Sequence, residues 1–277
     1  MDQLDCLVVQ DLFLHETAER AHVFLPAAAF AEKEGTFTNS ERRVQRVRTA
    51  LPPPGEARPD WWITCELAKR VARRLGTDVG RQFDYAGPGE IFDEMARLTP
   101  FLAGLSHERL DREGGIQWPC PAPDHPGTRY LYAESFPRGR ARFVPALQLA
   151  EAAELPDADF PFLLNTGRLL YHWHGGTLTR RVQGLLELAP HLEVAIHPSD
   201  ARRLGVEMGA RIRVTSRRGE LTGYASVTEA VRPGAVFVPF VKLEESAANF
   251  LTNSAFDPSS KIPEYKVCAV RVERLKE

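Results

Sequence analysis

From about residue 160 onward the chain is a series of short runs rich in Val, Ile and Phe: FPFLLNT, EVAIHP, RIRVTS, ELTGYASVT, AVFVPF and KVCAVRVERL. Their β-branched and aromatic content, broken by turn residues, marks them as strands. RRGEL (217–221) predicts a hairpin turn, and VRPG (231–234) a β-turn with Pro and Gly well placed. One short helix, SDARRLG, is expected from an N-cap at Ser199 to a stop at Gly205. Six or so strands, a single helix and no internal repeat point to a compact closed barrel.

The first third reads as α/β. CLVVQD (6–11) and HVFLP (22–26) are short apolar runs of the kind that form buried parallel strands. A helix is predicted from Asp60, taken as its N-cap after Pro59, with Ile63, Leu67, Val71 and Leu75 making one apolar stripe. Lys69, Arg70, Arg73 and Arg74 crowd its last turns, where cations suit the helix dipole, and Gly76 ends it. A shorter helix is expected near Glu90–Leu98. The Pro- and Gly-rich stretch that follows reads as a connector with a strand such as ARFVPA (141–146). The expected organisation is an α/β segment over 1–115, a connector over 116–158 and a mainly β domain over 159–277.

A net charge of −2 in 277 residues offers nothing to a nucleic acid or other polyanion. No run approaches the roughly 18 apolar residues of a membrane span, and no basic stretch followed by an apolar core opens the chain. The chain is therefore expected to be cytoplasmic. Cys6, Cys65, Cys120 and Cys268 stand far apart and form no C-x-x-C pair. They are read as buried reduced thiols, not as ligands of zinc or of an iron–sulfur cluster.

Three stretches carry more chemistry than a scaffold needs. FAEKEGTFTNSERRVQ (30–45) is polar, alternates acids with bases, and reads either as a solvated loop leading to a helix or as a fixed turn built on Gly35, Thr36, Thr38 and Asn39. NTGRLLYHWHGGTLTRR (165–181) leaves a strand with Gly, Thr, Arg, aromatic and His residues close together. The His172/His174 pair lacks further ligands at metal-site spacing, so anion recognition by backbone N–H groups, Thr and Arg fits better, with aromatic stacking on a flat heterocycle. The tail NFLTNSAFDPSSKIPEYKVCAV (249–270) sets Asn249, Thr252, Asn253 and Ser254 among apolar residues and Lys266 at a strand entrance. Taken alone, those are loop-capping residues.

Taken in order, FAEKEGTFTNSERRVQ, GEARPDWW, TGRLLYHWHGG, HPSDARRLGVEMGARIRVTSRRG and DPSSKIPEYKVCAV resemble the molybdopterin-dinucleotide oxidoreductases over nearly the whole chain, least between about residues 76 and 130. The resemblance is nearest to the C-terminal half of formate dehydrogenase catalytic subunits, with nitrate reductases as relatives; the PEYKVCAV ending favours the formate branch. It implies a six-stranded double-psi β-barrel after the α/β segment. It also implies that each half contributes to one bis(molybdopterin guanine dinucleotide) site bearing molybdenum or tungsten. By this resemblance Gln10 and Asp11 would bind a guanosine portion, joined by Lys33 and Asp60. Thr166, Gly167, Arg168, Leu169, Leu170, Tyr171, His172, Trp173, His174 and Gly175 would wrap a dinucleotide. Asn249 and Lys266 would meet the pterin side, and Phe240 would lie near the substrate channel. Without their anionic partner, Lys33 and Lys266 are expected to be mobile or turned outward.

The family's cysteine-bound iron–sulfur cluster and its metal-ligating cysteine or selenocysteine have no match here, so no catalytic residue and no metal ligand is expected in this chain. The implied partners are an N-terminal half carrying those groups and electron-transfer subunits, with formate oxidised to CO2 by the assembled enzyme. A stand-alone cofactor-binding or delivery module, a remnant without cofactor, and part of a nitrate reductase-like enzyme are the other readings.

Overall fold

The computed structural model describes the chain except for residues 2, 146–150, 245 and 277, and it divides into two compact units, Met1–Arg142 and Phe143–Glu277. The division falls inside the stretch read as a connector. Its first part belongs to the N-terminal unit, because residues 116 and 117 add a strand there. No strand forms over 141–145, and residue 146 of the expected ARFVPA strand lies outside the described residues.

In the N-terminal unit, β1 (Val8–Asp11) and β2 (Val23–Pro26) pair in parallel, with Val8 opposite Val23 and Gln10 opposite Leu25. The polar stretch 30–45 is not a loop entering a helix. It contains most of a hairpin, β3 (Gly35–Thr38) and β4 (Arg43–Val47), turned by Asn39, whose Oδ1 accepts from the N–H groups of Glu41 and Arg43. Its polarity hid the strands because only Val44 of β4 is buried, so the usual alternation is missing.

The helix α1 (Asp60–Leu75) starts and stops where expected, with Gly76 left-handed at φ 66°. Pro59, not Asp60, holds the N-cap position, which frees the Asp60 carboxylate for other partners. The predicted apolar stripe is also not what packs. Ile63, Cys65 and Ala72 are buried, whereas Leu67, Val71 and Leu75 stay exposed. The helix leans instead on the 3-10 turn Asp78–Phe83, where Gly80 sits so close that a Cβ would lie 3.0 Å from that of Ala72.

A second core forms where α2 (Pro88–Leu98) and α3 (His107–Glu113) meet the antiparallel sheet completed by β5 (Ile116–Gln117). Val44, Phe92, Ala96, Leu105, Leu110, Ile116 and Cys120 fill it. The buried Arg109 guanidinium ties it together, donating to the carbonyls of Gly104, Ala122 and His125 and to Cys120 Sγ.

The C-terminal unit is the expected closed double-psi barrel. Its strands are β6 (Phe162–Gly167), β7 (Glu193–Ile196), β8 (Arg211–Thr215), β9 (Glu220–Val227), β10 (Ala235–Pro239) and β11 (Cys268–Arg274). They close in the order β10-β6-β11-β8-β9-β7. The β6/β10 and β7/β9 pairs are parallel and the other four antiparallel. Phe162, Leu164, Val194, Ile196, Ile212, Val214, Val236 and Val238 alternate inward and are essentially without solvent contact. Each such side chain contributes about 1.5–3 kcal/mol by burial, which explains why so short a set of strands holds together.

Two helices accompany the barrel, not one: α4 (Gln183–Leu188) and α5 (Pro198–Leu204). The ring of His197, not the hydroxyl of Ser199, caps α5, accepting from the Ser199 N–H. Three of the cysteines are buried as expected, but Cys6 is exposed, and all four are free thiols.

Candidate functional site

The two units bring together separate sets of the expected residues. On the N-terminal unit, Asp60 stands at the first turn of α1 and accepts from Gln10 Nε2 at 2.7 Å, while Lys33 closes an ion pair on its other oxygen. Three residues spread over 50 positions of sequence thus meet at the C-terminal end of β1. Burial by itself raises the Asp60 pKa, but the Lys33 and Gln10 hydrogen bonds more than offset this and hold the carboxyl below its ordinary value. Lys33 is therefore not turned outward, as expected from its missing anion: Asp60 already supplies a negative charge. Asp11 lies next to this set but turns elsewhere, accepting from the Leu12 N–H at 2.6 Å and approaching His15 Nε2 at 3.3 Å.

Neighbouring groups fix the Lys33 loop from behind. Arg46, on β4, reaches the Gly35 carbonyl, Glu34 and Asp111, and contacts the His107 ring. Burial, then the Arg46 charge, push the His107 pKa down, which favours a neutral imidazole beside the guanidinium.

On the barrel unit, residues 166–176 leave β6 and are fastened to the chain leaving β10: the Phe240 N–H donates to Gly167 O at 3.0 Å and the Lys242 N–H to Gly175 O at 3.2 Å. Two glycines permit this approach. A Cβ on Gly167 would fall 2.4 Å from the Phe237 ring, and one on Gly176 would fall 2.6 Å from Val241 Cγ2. A Cβ on Gly175 would meet only Phe240 O, at 4.0 Å.

Within the loop, His172 is buried, its ring nitrogens meeting Thr179 Oγ1 at 3.2 Å and Ala189 O at 3.3 Å. Both nitrogens are thus engaged inside the loop, so this histidine shapes the loop and does not line its surface. Leu170, Tyr171 and Trp173 face outward, and His174 stacks edge-on against Trp173 at 4.6 Å. His174 holds φ 48°, a left-handed turn that swings the two glycines back toward the barrel. In the same turn Arg168 is exposed, while Leu169 is partly buried against the barrel core.

Lys266 lies under the start of this loop. Its Nζ donates to Thr166 O at 2.8 Å and lies 5.9 Å from the Phe240 ring and 5.6 Å from that of Tyr265. Thr166 Oγ1 in turn donates to Tyr265 O at 2.8 Å. Lys266 is exposed, but its ammonium is held on a strand-end carbonyl beside two rings. Asn249 is exposed in a 3-10 turn beyond this cluster, its carbonyl accepting from Thr252. Thr179 and Tyr265 are additions to the expected set. Tyr265 was legible as the neighbour of Lys266 in PEYK; Thr179 lies in the stretch 165–181 whose Thr residues were read as donors, but its pairing with His172 was not legible.

Glu154 secures the tail that presents Lys266. It accepts from the Ala269 N–H at 3.1 Å and from Arg217 and Arg218, while Arg218 also donates to Leu251 O. Burial raises the Glu154 pKa, and the Arg218, Ala269 and Arg217 hydrogen bonds reverse that, leaving it below the ordinary glutamate value. A depressed folded-state pKa gives stability that is present above the unfolded-state value and lost as pH falls through the folded one. The barrel unit should thus melt at lower temperature as the solution passes below the ordinary carboxylate range, and Glu154→Gln should flatten part of that slope. Equal slopes in thermal melts of both proteins across an acid pH series would remove Glu154 from this role.

The chain thus combines an α/β unit with a closed double-psi barrel unit that carries a glycine-edged loop leaving its first strand. Residues 162–269 match the molydopterin dinucleotide binding domain and residues 1–70 the molybdopterin oxidoreductase family. The chain is 47% identical over 277 residues to the F420-dependent formate dehydrogenase subunit alpha of Methanocaldococcus jannaschii, covering 99% of itself and 40% of that subunit. It is 39% identical to the assimilatory nitrate reductase catalytic subunit of Bacillus subtilis, covering 98% of itself and 38% of that protein. The acetylene hydratase of Pelobacter acetylenicus shares the fold with a TM-score of 0.70 at 18% identity, over 98% of this chain and 40% of that one. This chain joins a molybdopterin oxidoreductase segment to a molydopterin dinucleotide binding domain, and its homologues include formate dehydrogenases and nitrate reductases. It spans about two fifths of the length of the curated relatives it matches.

Proposed function

We propose that the chain is the cofactor-holding C-terminal part of a formate dehydrogenase-like oxidoreductase, and that it binds a bis(molybdopterin guanine dinucleotide) bearing molybdenum or tungsten. The observation that carries this reading is the loop 166–176, tied to the exit of β10 above Lys266. Its chemistry fits the group. Gly175 leaves its backbone open to an anionic oxygen, Lys266 supplies charge, and the exposed Tyr171 and Trp173 offer faces to a flat heterocycle. On the N-terminal unit, Asp11 is a carboxylate of the kind that pairs with a guanine edge, and Lys33, here paired with Asp60, would exchange that partner for a phosphate. When bound, the cofactor supplies the redox chemistry at its metal. This chain's residues bind and orient it, while the metal ligand and iron–sulfur cluster come from an N-terminal partner and electrons leave through further subunits. The 47% identity to a formate dehydrogenase subunit, against 39% to a nitrate reductase, favours formate as the substrate.

The test uses the chain alone and the chain co-expressed with a polypeptide equivalent to the rest of a relative. Formate-dependent dye reduction is expected only from the pair, with metal and pterin recovered in it. Lys266→Ala should lower the pterin content, since each buried charge-assisted hydrogen bond is worth roughly 1.5–3 kcal/mol. Undiminished pterin in that variant, or dye reduction by the chain alone, overturns the assignment. Nitrate-dependent turnover in place of formate moves the chain to the other branch.

A further inference from the structure

We infer that Arg46 is a positioning residue for Lys33 and that an uncharged His107 keeps Arg46 in place, so that acid releases the Lys33 segment from its site. The inference rests on the reading above, in which Lys33 meets a phosphate of the cofactor, and adds the residues that hold it there.

Three observations carry it. First, Arg46 grips the two residues that follow Lys33. Its side chain is only 9% exposed and donates to Glu34 Oε2 and to Gly35 O, both at 3.2 Å. These bonds add to the β3–β4 ladder, in which Gly35 faces Val47 and Thr36 faces Arg46 itself. Lys33 is extended at φ −145° directly before them, with its ammonium on the Asp60 carboxylate that Gln10 also holds. A shift of Glu34 and Gly35 therefore moves the stem of Lys33.

Second, α3 holds Arg46 from behind. Asp111 accepts from its Nε at 3.0 Å, and His107 Nδ1 lies 2.6 Å from its Nη1. A guanidinium has donors only, so at that distance the ring nitrogen is the acceptor. A protonated imidazole carries N–H on both nitrogens and cannot accept. The ring has no room to turn aside: it packs against Phe92 at 5.4 Å, and a Cβ on Gly89 would come within 3.3 Å of Nδ1.

Third, the charges in contact balance only while the ring is neutral. Arg46 and Arg48 face Glu34 and Asp111, with Arg48 2.5 Å from Asp111. Burial, then Arg46, lower the His107 pKa; Glu34, Asp111 and, on α2, Asp93 act the other way without reversing it. Arg46 likewise holds the Asp111 carboxyl below its ordinary value, so that group stays ionised while the histidine titrates. A lowered folded-state pKa means that the arrangement is complete above the ordinary histidine range and is lost as pH falls through the lowered value.

The test uses the full chain without cofactor, followed by NMR and hydrogen exchange from about pH 7.5 to about pH 5.5. Protection factors of the β3 amides should fall at least about fivefold over that range, with the midpoint of the His107 ring titration. The carboxyl shift of Asp60, which reports its pair with Lys33, should move at the same midpoint. His15 and His22 are imidazoles of the same unit, so the parent profile needs a control. His107→Gln keeps an acceptor for Arg46 and does not titrate, so it should match the parent at the upper pH and stay flat below it. Arg46→Lys, which keeps the charge and loses the fork, should show low β3 protection at every pH. A flat parent profile, the same acid loss in His107→Gln, or full protection in Arg46→Lys overturns the inference. So does a His107 titration that leaves β3 and Asp60 unmoved, a result read in the parent whether or not the variants fold. Because no cofactor enters, a failure of the ligand assignment leaves these profiles unchanged.

Discussion

Replacing Arg109 by Ala should cost the N-terminal unit about 3–5 kcal/mol, the range for removing one partner of a buried charged network. The side chain is 8% exposed and donates to Gly104 O and His125 O at 2.7 Å, to Ala122 O and Cys120 Sγ at 3.3 Å, and to Glu113 at 3.0 Å. Truncation leaves these carbonyls facing a void, with only the weak thiol donor of Cys120, 3.3 Å from His125 O and 3.8 Å from Ala122 O, beside them. Close packing prevents repair, because a Cβ on Gly104 would fall 2.1 Å from Ala122 O, showing how tightly that backbone passes. Urea unfolding followed by fluorescence of Trp118, which packs against this core, reads the effect. Arg109→Lys should fall between the two, since it keeps the charge and loses the planar fork. A midpoint unchanged in Arg109→Ala would mean the network contributes nothing.

Leu164→Ala should destabilise the barrel unit by about 2.7–5 kcal/mol, the measured span for deleting a fully buried leucine. Leu164 is at 0% exposure in β6, between β10 and β11, with Val236 and Cys268 as its register partners. Those flanking strands already carry their own inward residues, so the cavity cannot collapse cheaply. The same strand ends in Thr166 and Gly167, so a looser β6 also loosens the Lys266 contact at Thr166 O. Thermal unfolding by circular dichroism is the measurement, and a loss below about 1 kcal/mol would show that β6 is not central to the core.

Much of this architecture was legible because local patterns coincide with tertiary roles. The barrel strands alternate along β6, β8 and β9, and the inward residues are buried except Val227 at the end of β9, which is partly so. The hairpin turn at Ser216–Gly219 and the turn before β10 follow from their Gly residues, with Gly234 at φ 79°. Where local pattern and tertiary role diverge, reading fails. The β3–β4 hairpin is polar because it sits at an edge with one buried residue. Helix α4 has no fully buried residue, only Leu186 packed partly buried against the barrel core. Of the apolar stripe on α1, only Ile63 is buried and Leu67, Val71 and Leu75 are exposed, since a repeat of apolar residues states only that a face is apolar and not that anything covers it.

The candidate site divides in the same way. Residue types were readable in advance: glycines where backbone must approach, Lys266 at a strand entrance, carboxylates and Gln10 at a strand end. What those side chains touch was not. The sequence by itself determined the closed barrel, the extent of α1 and the segments from which the site is drawn, because these depend on periodicity and turn chemistry within a few residues. Only the tertiary structure decided that Asp60 serves Gln10 and Lys33 instead of capping its helix, and that His172 is buried against Thr179 and Ala189. It also decided that Lys266 is already satisfied by Thr166 O across 100 residues of chain. Such pairings join groups that are distant in sequence, and their partners are selected by which polar atoms the folded backbone leaves facing one another.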